Sequence, residues 1–268
     1  MHTEFEPPLE LQDTIKCFWY NDTDFGDQET NFEVIPDGFA EIIFHFGEGL
    51  QILQQGNLQS LPSPFLVGLL NHPAHFYTKN RLQILAIRCF PWTVFDLLNL
   101  DSTKKGVDTF DHPMAQLQAK LQHFINENQI QEAIDLIKEY FLNLEISTDS
   151  TLYKAGIAMR KANGSIPVSE IADAAHATVR TLERKFKQSS GHTVKDVTGL
   201  IRFEQARNTL WSQPDFVLAE LALELGYTDQ AHLSREFKRY SGVTPGTFAR
   251  KAKKERIPNR EFVAFIQS

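Results

Sequence analysis

The chain has 268 residues, 42% of them apolar and 11% aromatic, which is enough for two domains with their own cores and excludes bulk disorder. Its net charge of −7 conceals opposite halves: residues 1–149 carry 8 Lys and Arg against 22 Asp and Glu, residues 150–268 carry 19 against 12. The basic half points to a polyanionic partner, and the acidic half discourages indiscriminate attachment to phosphates.

The opening residues, MHTEFEPPLE, are acidic and lack an apolar secretion core, and no apolar run approaches the roughly 18 residues that span a bilayer. These features predict a soluble, cytoplasmic protein without a membrane partner. Cys17 and Cys89 form no metal pattern and read as reduced core or surface thiols.

From Cys17 to Phe90, short apolar runs broken by Gly, Pro, Asn and Asp predict strands. In the run Glu41 to Phe46, residues 42, 44 and 46 share one face while Glu41 and His45 share the other, so a strand with one buried side is expected. Pro36-Asp37-Gly38 before it predicts a turn. From Pro91 to Leu144 the period lengthens: Leu117, Leu121, Phe124 and Ile125 form one helical stripe, and Ile130, Ile134, Ile137, Phe141 and Leu144 a second, separated by Asn126-Glu127-Asn128. The polar segment Ile146 to Ser150 predicts the boundary between a domain at 1–149 and one at 150–256, with a tail at 257–268. The fold class expected is an α+β first domain, mainly strands followed by a helical hairpin, and an all-α second domain.

The second domain carries the same unit twice, IPVSEIADAAHATVRTLERKFKQSSG at 166–191 and VLAELALELGYTDQAHLSREFKRYSG at 217–242. An offset of 50 residues joins Glu170 to Glu220 and Ala172 to Ala222. One extra turn residue, with Gly226-Tyr227 set against His176, raises the offset to 51 for Leu182/Leu233, Arg184/Arg235, Phe186/Phe237 and Gly191/Gly242. A repeat at fixed period means two copies of one supersecondary unit. Each copy reads as a short apolar helix, a tight turn, a Thr or Asp N-cap and a second helix ending at Gly, which is the helix-turn-helix. Double-stranded DNA is the partner this motif predicts, its second helix lying in the major groove.

Leu182 and Phe186, like Leu233 and Phe237, should face inward. The candidates for base contact are therefore Arg180, Glu183 and Arg184 in the first unit, and Gln230, Ala231, His232, Ser234 and Arg235 in the second. Arg184 and Arg235 can fork onto guanine, Gln230 suits adenine, and Glu183 either accepts from cytosine or pairs within its helix with Arg180 or Lys187. Thr178, Lys187, Asp229, Lys238 and Arg239 lie at helix ends, where phosphate contact is expected. Thr193 to Trp211 reads as one helix of about 28 Å, close to the roughly 34 Å between successive grooves on one DNA face. Gly199 inside it is a soft spot costing about 1 kcal/mol against Ala.

Thr178-x-x-x-Leu182-x-Arg184-x-Phe186-Lys187, Arg202-x-x-x-Ala206-Arg207, Gly226-Tyr227-Thr228-Asp229 and Ser234-Arg235-Glu236-Phe237-Lys238-Arg239-x-x-Gly242-Val243-Thr244-Pro245 resemble the AraC/XylS family over about 90 residues. The resemblance implies a bacterial transcription regulator with seven helices in its DNA-binding domain, and RNA polymerase as a partner. It also implies base contacts at the eight positions above. The sequence departs from the family at Ala175-His176, where a Gly-containing turn is more usual.

Val34-Ile35-Pro36-Asp37-Gly38, Val67-Gly68 and Ile87 to Pro91 resemble an uncharacterised N-terminal domain of some family members; such domains bind an effector, dimerise, or both. Trp19, Phe44, Phe46 and Phe76 could enclose a small-molecule effector, with Arg88 as an anion anchor, or could simply be core. The stripe from Leu117 to Leu144 offers either a homodimer interface or packing onto its own strands. His72, His75 and His112 suggest a metal-dependent enzyme domain only weakly, and a purely protein-binding module is the other rival. No catalytic residue, metal or cofactor is assigned.

Overall fold

The structure, a computed structural model, describes residues 1–47, 49–102, 106–144 and 149–255. The expected boundary at Ile146 to Thr148 and the tail from residue 257 lie outside the described residues. Alternating apolar residues form β1 (His2–Phe5), β2 (Ile15–Asp24), β3 (Thr30–Val34), β4 (Ala40–Gly47) and β5 (Gln51–Gln54). They continue as β6 (Asn57–Ser60), β7 (Phe65–Val67), β8 (Ala74–Thr78), β9 (Arg81–Cys89) and β10 (Val107–Asp108). The strands pair antiparallel into one sheet ordered β1-β2-β9-β4-β7-β10 and a second ordered β3-β8-β5-β6.

Register decides which side chains meet. Trp19, Ala86 and Ile43 lie across one row of the larger sheet and face the smaller sheet, packing with Phe32, Phe65 and Phe76. The neighbouring row, Phe18, Ile87 and Ile42, points the other way. It meets α2 (Gln118–Asn126) and α3 (Ile130–Leu142) through Leu121, Ile125, Ile134, Ile137 and Phe141.

One expectation needs correction, and one open alternative is decided. The Glu41 side of β4 is not a solvent face, because the smaller sheet covers it: Glu41 and Ile43 are buried, as are Ile42 and Phe44 on the other side. Of the two readings of the stripe through α2 and α3, packing onto the chain's own strands is the one observed. The stripe's buried side chains, worth about 1.5–3 kcal/mol each on removal from water, close the chain's own sheet. Cys17 and Cys89 are free and buried, and burial pushes the Cys17 thiol up to about 12.

Seven helices follow among the described residues: α4 (Ser150–Lys161), α5 (Val168–Ala174), α6 (Val179–Ser190), α7 (Val194–Ser212), α8 (Leu218–Glu224), α9 (Gln230–Ser241) and α10 (Pro245–Glu255). They share one core, into which the β half sends Ile35, Leu69 and Trp92. A short α1 (Val94–Leu97) follows Trp92, whose indole stacks on Phe90 at 5.3 Å and meets the Phe186 ring edge-on at 6.0 Å. The halves are therefore joined through packed aromatic side chains as well as through the chain.

Candidate nucleic-acid interface

The two repeats fold alike, down to the backbone that turns each corner. In the first, Ala175 is the C-cap of α5 and His176 takes φ +52°; in the second, Leu225 is the C-cap of α8 and Gly226 takes φ +72°. His176 N–H donates to Asp173 and Ala177 N–H to Ala172, as Gly226 donates to Leu223 and Tyr227 to Ala222. His176 and Gly226 are thus equivalent at offset 50, and the added residue is Thr228, after the left-handed position rather than at it. The absent glycine leaves the turn in place, with a histidine accepting a conformation that costs a side chain about 1–2 kcal/mol.

Thr178 caps α6 by accepting from Thr181 N–H at 3.1 Å, and Asp229 caps α9 by accepting from His232 N–H at 2.7 Å. Leu182 and Phe186, like Leu233 and Phe237, are buried, and each helix runs 12 residues to a left-handed glycine, Gly191 or Gly242. Arg184 and Arg235 occupy the sixth position of their helices and are both exposed; Arg184 Nη1 rests on Gln188 Oε1 at 3.1 Å. Arg180, Gln230, Ala231, Lys187, Lys238 and Arg239 are exposed as well.

The remaining three candidates sit partly inside. Glu183 pairs with neither Arg180 nor Lys187 in any bond described; its Oε2 accepts the Val194 amide at 3.4 Å in the first turn of α7. His232 Nδ1 lies 3.5 Å from the Thr228 amide, and its ring stands edge-on to Tyr227. Ser234 is half-buried.

α7 spaces the two units. A capping box at Thr193 and Asp196 opens its 19 residues, about 28 Å of helix. Phe203 packs against Phe237 at 5.0 Å and Tyr240 at 5.2 Å. Arg202 donates to the Gly164 carbonyl at 2.9 Å, pairs with Glu236 at 3.5 Å and stacks over Tyr227. Gly199 is a clearance rather than a soft spot, since a Cβ there would stand 3.0 Å from Tyr240 Oη.

The sequence reading missed the junction between halves. Arg207 of α7 is 3% exposed and donates to the Pro36 carbonyl at 3.2 Å. Arg160 of α4 donates to the Gly38 carbonyl, pairs with Glu204 at 3.5 Å and covers the Phe39 ring at 3.8 Å. Arg88 is ion-paired with Asp37 and lies 3.6 Å from Glu41. Burial works against its charge, yet those carboxylates more than offset it and hold the guanidinium above its ordinary pKa. Long charged side chains in nominally apolar helix positions were the only signal available.

The residues expected around an effector do not converge. Phe44 and Phe46 of the larger sheet face α2 and α3, whereas Trp19 points to the other side of that sheet, into the space between the sheets, where Phe76 of the smaller sheet packs. Arg88 is engaged by Asp37 and Glu41 rather than open to an anion. Nor do the histidines gather: His75 is near Glu33 and His112 near Phe110 and Tyr140, and no group of three potential ligands is placed to hold a metal among the described residues.

Residues 171–251 match a family model described as a helix-turn-helix domain, and residues 3–104 one described as a domain of unknown function, DUF6597. The HTH-type transcriptional regulator RipA of Corynebacterium diphtheriae is 32% identical over 82 residues, covering 31% of this chain and 24% of its own. The HTH-type transcriptional regulator VirS of Mycobacterium tuberculosis is 32% identical over 110 residues, covering 40% and 32%. The chain thus spans about a quarter to a third of the length of these curated relatives. Among solved structures, ToxT from Vibrio cholerae aligns over 87% of this chain and 97% of its own at 11% identity, with a TM-score of 0.45. The chain carries an AraC-type helix-turn-helix domain behind an N-terminal domain of the DUF6597 family.

Proposed function

We propose that the protein is a sequence-specific DNA-binding transcriptional regulator, with a sensing domain at 1–149 and a DNA-binding domain at 150–256. α6 and α9 enter successive major grooves on one side of the duplex, held apart by α7. The observation that carries this reading is the repeated exposed arginine: Arg184 and Arg235 stand at the same position of two equally long, equally capped helices. Each can reach guanine O6 and N7, worth about 1–3 kcal/mol of discrimination. Arg180, Gln230 and Ala231 complete the base-facing set, with Glu183, His232 and Ser234 at its margin. Lys187, Lys238 and Arg239 hold phosphates, and Thr178 and Asp229 present the amides of the first turns to them.

On the same reading a small molecule acts through the N-terminal half. The route is the Pro36–Phe39 loop, which Arg160 and Arg207 tie to α4 and α7. RNA polymerase is the further partner that transcription control requires, and action on DNA puts the protein in the cytoplasm. The reading invokes no catalytic step, and a homodimer would use a surface other than the buried stripe of α2 and α3.

Selection of binding sites from a random duplex pool by the full chain tests the proposal. Two half-sites spaced by about 10 base pairs are expected. Recovery of unenriched sequence at low salt would overturn it.

A further inference from the structure

α6 and α9 repeat one unit, but their distal ends are held by different parts of the chain. At offset 51, Tyr240 of α9 has Ser189 as its counterpart, Glu236 has Lys185, and Val243 has His192. In the second unit the holds come from the helical half. Tyr240 and Phe237 pack on Phe203 of α7, Phe237 meets Phe248 of α10 at 5.4 Å, and Glu236 pairs with Arg202. The β half approaches that end at Pro73, whose Cγ would stand 3.9 Å from a Cβ on Gly242. In the first unit Ser189 brings no ring to α7, and the β half supplies the clamp. Trp92 meets Phe186 edge-on, α1 packs against α6, and Ser102 Oγ donates to the Lys187 carbonyl at 3.1 Å. Lys185 is ion-paired with Asp149, the N-cap of α4. Burial follows the same division: Gly191 and His192 are buried, whereas Gly242 and Val243 are exposed. Arg180, Arg184 and Lys187 stay exposed, so the grip leaves the outward side of α6 open.

We propose that Trp92 and Ser102 are positioning residues for α6: through them the β half sets how the first helix meets its half-site, while the helical half sets α9. The inference rests on the reading of α6 and α9 as major-groove helices, and deepens it by dividing their control. A guanidinium forks onto guanine only when the helix that carries it is fixed, because both bonds need the right distance and angle. Any event that shifts the β half therefore acts on the half-site of Arg184 and spares that of Arg235.

The test compares the full chain with Ser102→Ala/Trp92→Phe on the selected duplex and on two derivatives, each with one half-site scrambled. Arg184→Ala and Arg235→Ala assign the half-sites beforehand. The double variant should bind about threefold to tenfold more weakly wherever the Arg184 half-site is present. On the duplex that keeps only the Arg235 half-site it should match the parent. Ser102→Ala/Asp149→Asn, which keeps an acceptor at the α4 cap, repeats the comparison without touching the core. Thermal melting verifies that both variants fold. Equal losses on all duplexes, or no loss on any, would overturn the proposal. Hydrogen exchange without DNA separates it from the reading beneath it. Amides in the last turn of α6 should exchange faster in the double variant, and those of α9 at an unchanged rate. A chain that selects no sequence removes the DNA reading, yet the exchange result still decides the grip: unaltered protection of α6 defeats it.

Discussion

Trp92 and Gly156 touch across the two halves so closely that a Cβ added to the glycine would overlap the indole ring. The contact seats the β half on α4, and the same ring reaches Phe186 of α6. Gly156→Ala should therefore destabilise the folded chain by about 1–3 kcal/mol through overpacking. Urea unfolding would measure it, and Trp92→Phe in the same chain should restore part of the loss. An unchanged midpoint would show that the ring moves aside freely.

His176 stands where its counterpart is Gly226, at φ +52° against +72°. Replacing His176 by Gly should stabilise the protein by up to about 1 kcal/mol, since the side chain no longer opposes the left-handed backbone. Gly226→Ala should cost a similar amount. Melting of both variants checks the pair, and opposite signs are the expected result.

Arg235 and Lys238 lie three residues apart on α9, both exposed, yet their losses should differ in kind. Arg235→Ala should cost about 1–3 kcal/mol on the preferred duplex and relax selection at one base pair. Lys238→Ala should weaken all duplexes alike and lower the salt slope by about 1. Binding isotherms on matched and mismatched duplexes at several salt concentrations distinguish the two. Uniform losses in both would reverse the assignment.

Burial pushes the Glu41 carboxyl up to about 8; Arg88 works against the shift, while Asp37 and Glu4 add to it and the Cys17 thiol lies nearby. An unfolded chain releases that proton near the ordinary 4.5. Between the two values the folded state holds more protons, so this group's contribution to stability falls as pH rises through that window and levels off above about 8. Glu41→Gln should flatten that decline. Unfolding midpoints compared at about pH 5 and pH 8 provide the check, and parallel curves for both proteins would count against the buried carboxyl.

The helical half was legible because the chain states it twice. Leu182 with Leu233, Phe186 with Phe237 and Gly191 with Gly242 locate the same elements by comparison, and the caps at Thr178 and Asp229 follow from local chemistry. Glu183 was harder, since its partner is the amide of Val194 on the next helix. The β half showed its strands but not its layers. Alternation in β4 suggested one wet face, and only the path of β3, β5, β6 and β8 reveals that another sheet covers Glu41. Least readable was the grip on the loop, because Pro36 and Arg207 are 171 residues apart and no local pattern links them.

The bond from Arg207 to the Pro36 carbonyl engages main chain, so it reads the course of the loop and not the identity of its side chains. Any foreign N-terminal domain grafted onto these seven helices would have to bring an oxygen to that same point, and a small residue opposite Ile201 and Glu204 where Gly38 now lies. Hybrids chosen by shape at this seam, rather than by overall likeness, are the ones that would keep the two halves packed as they are here.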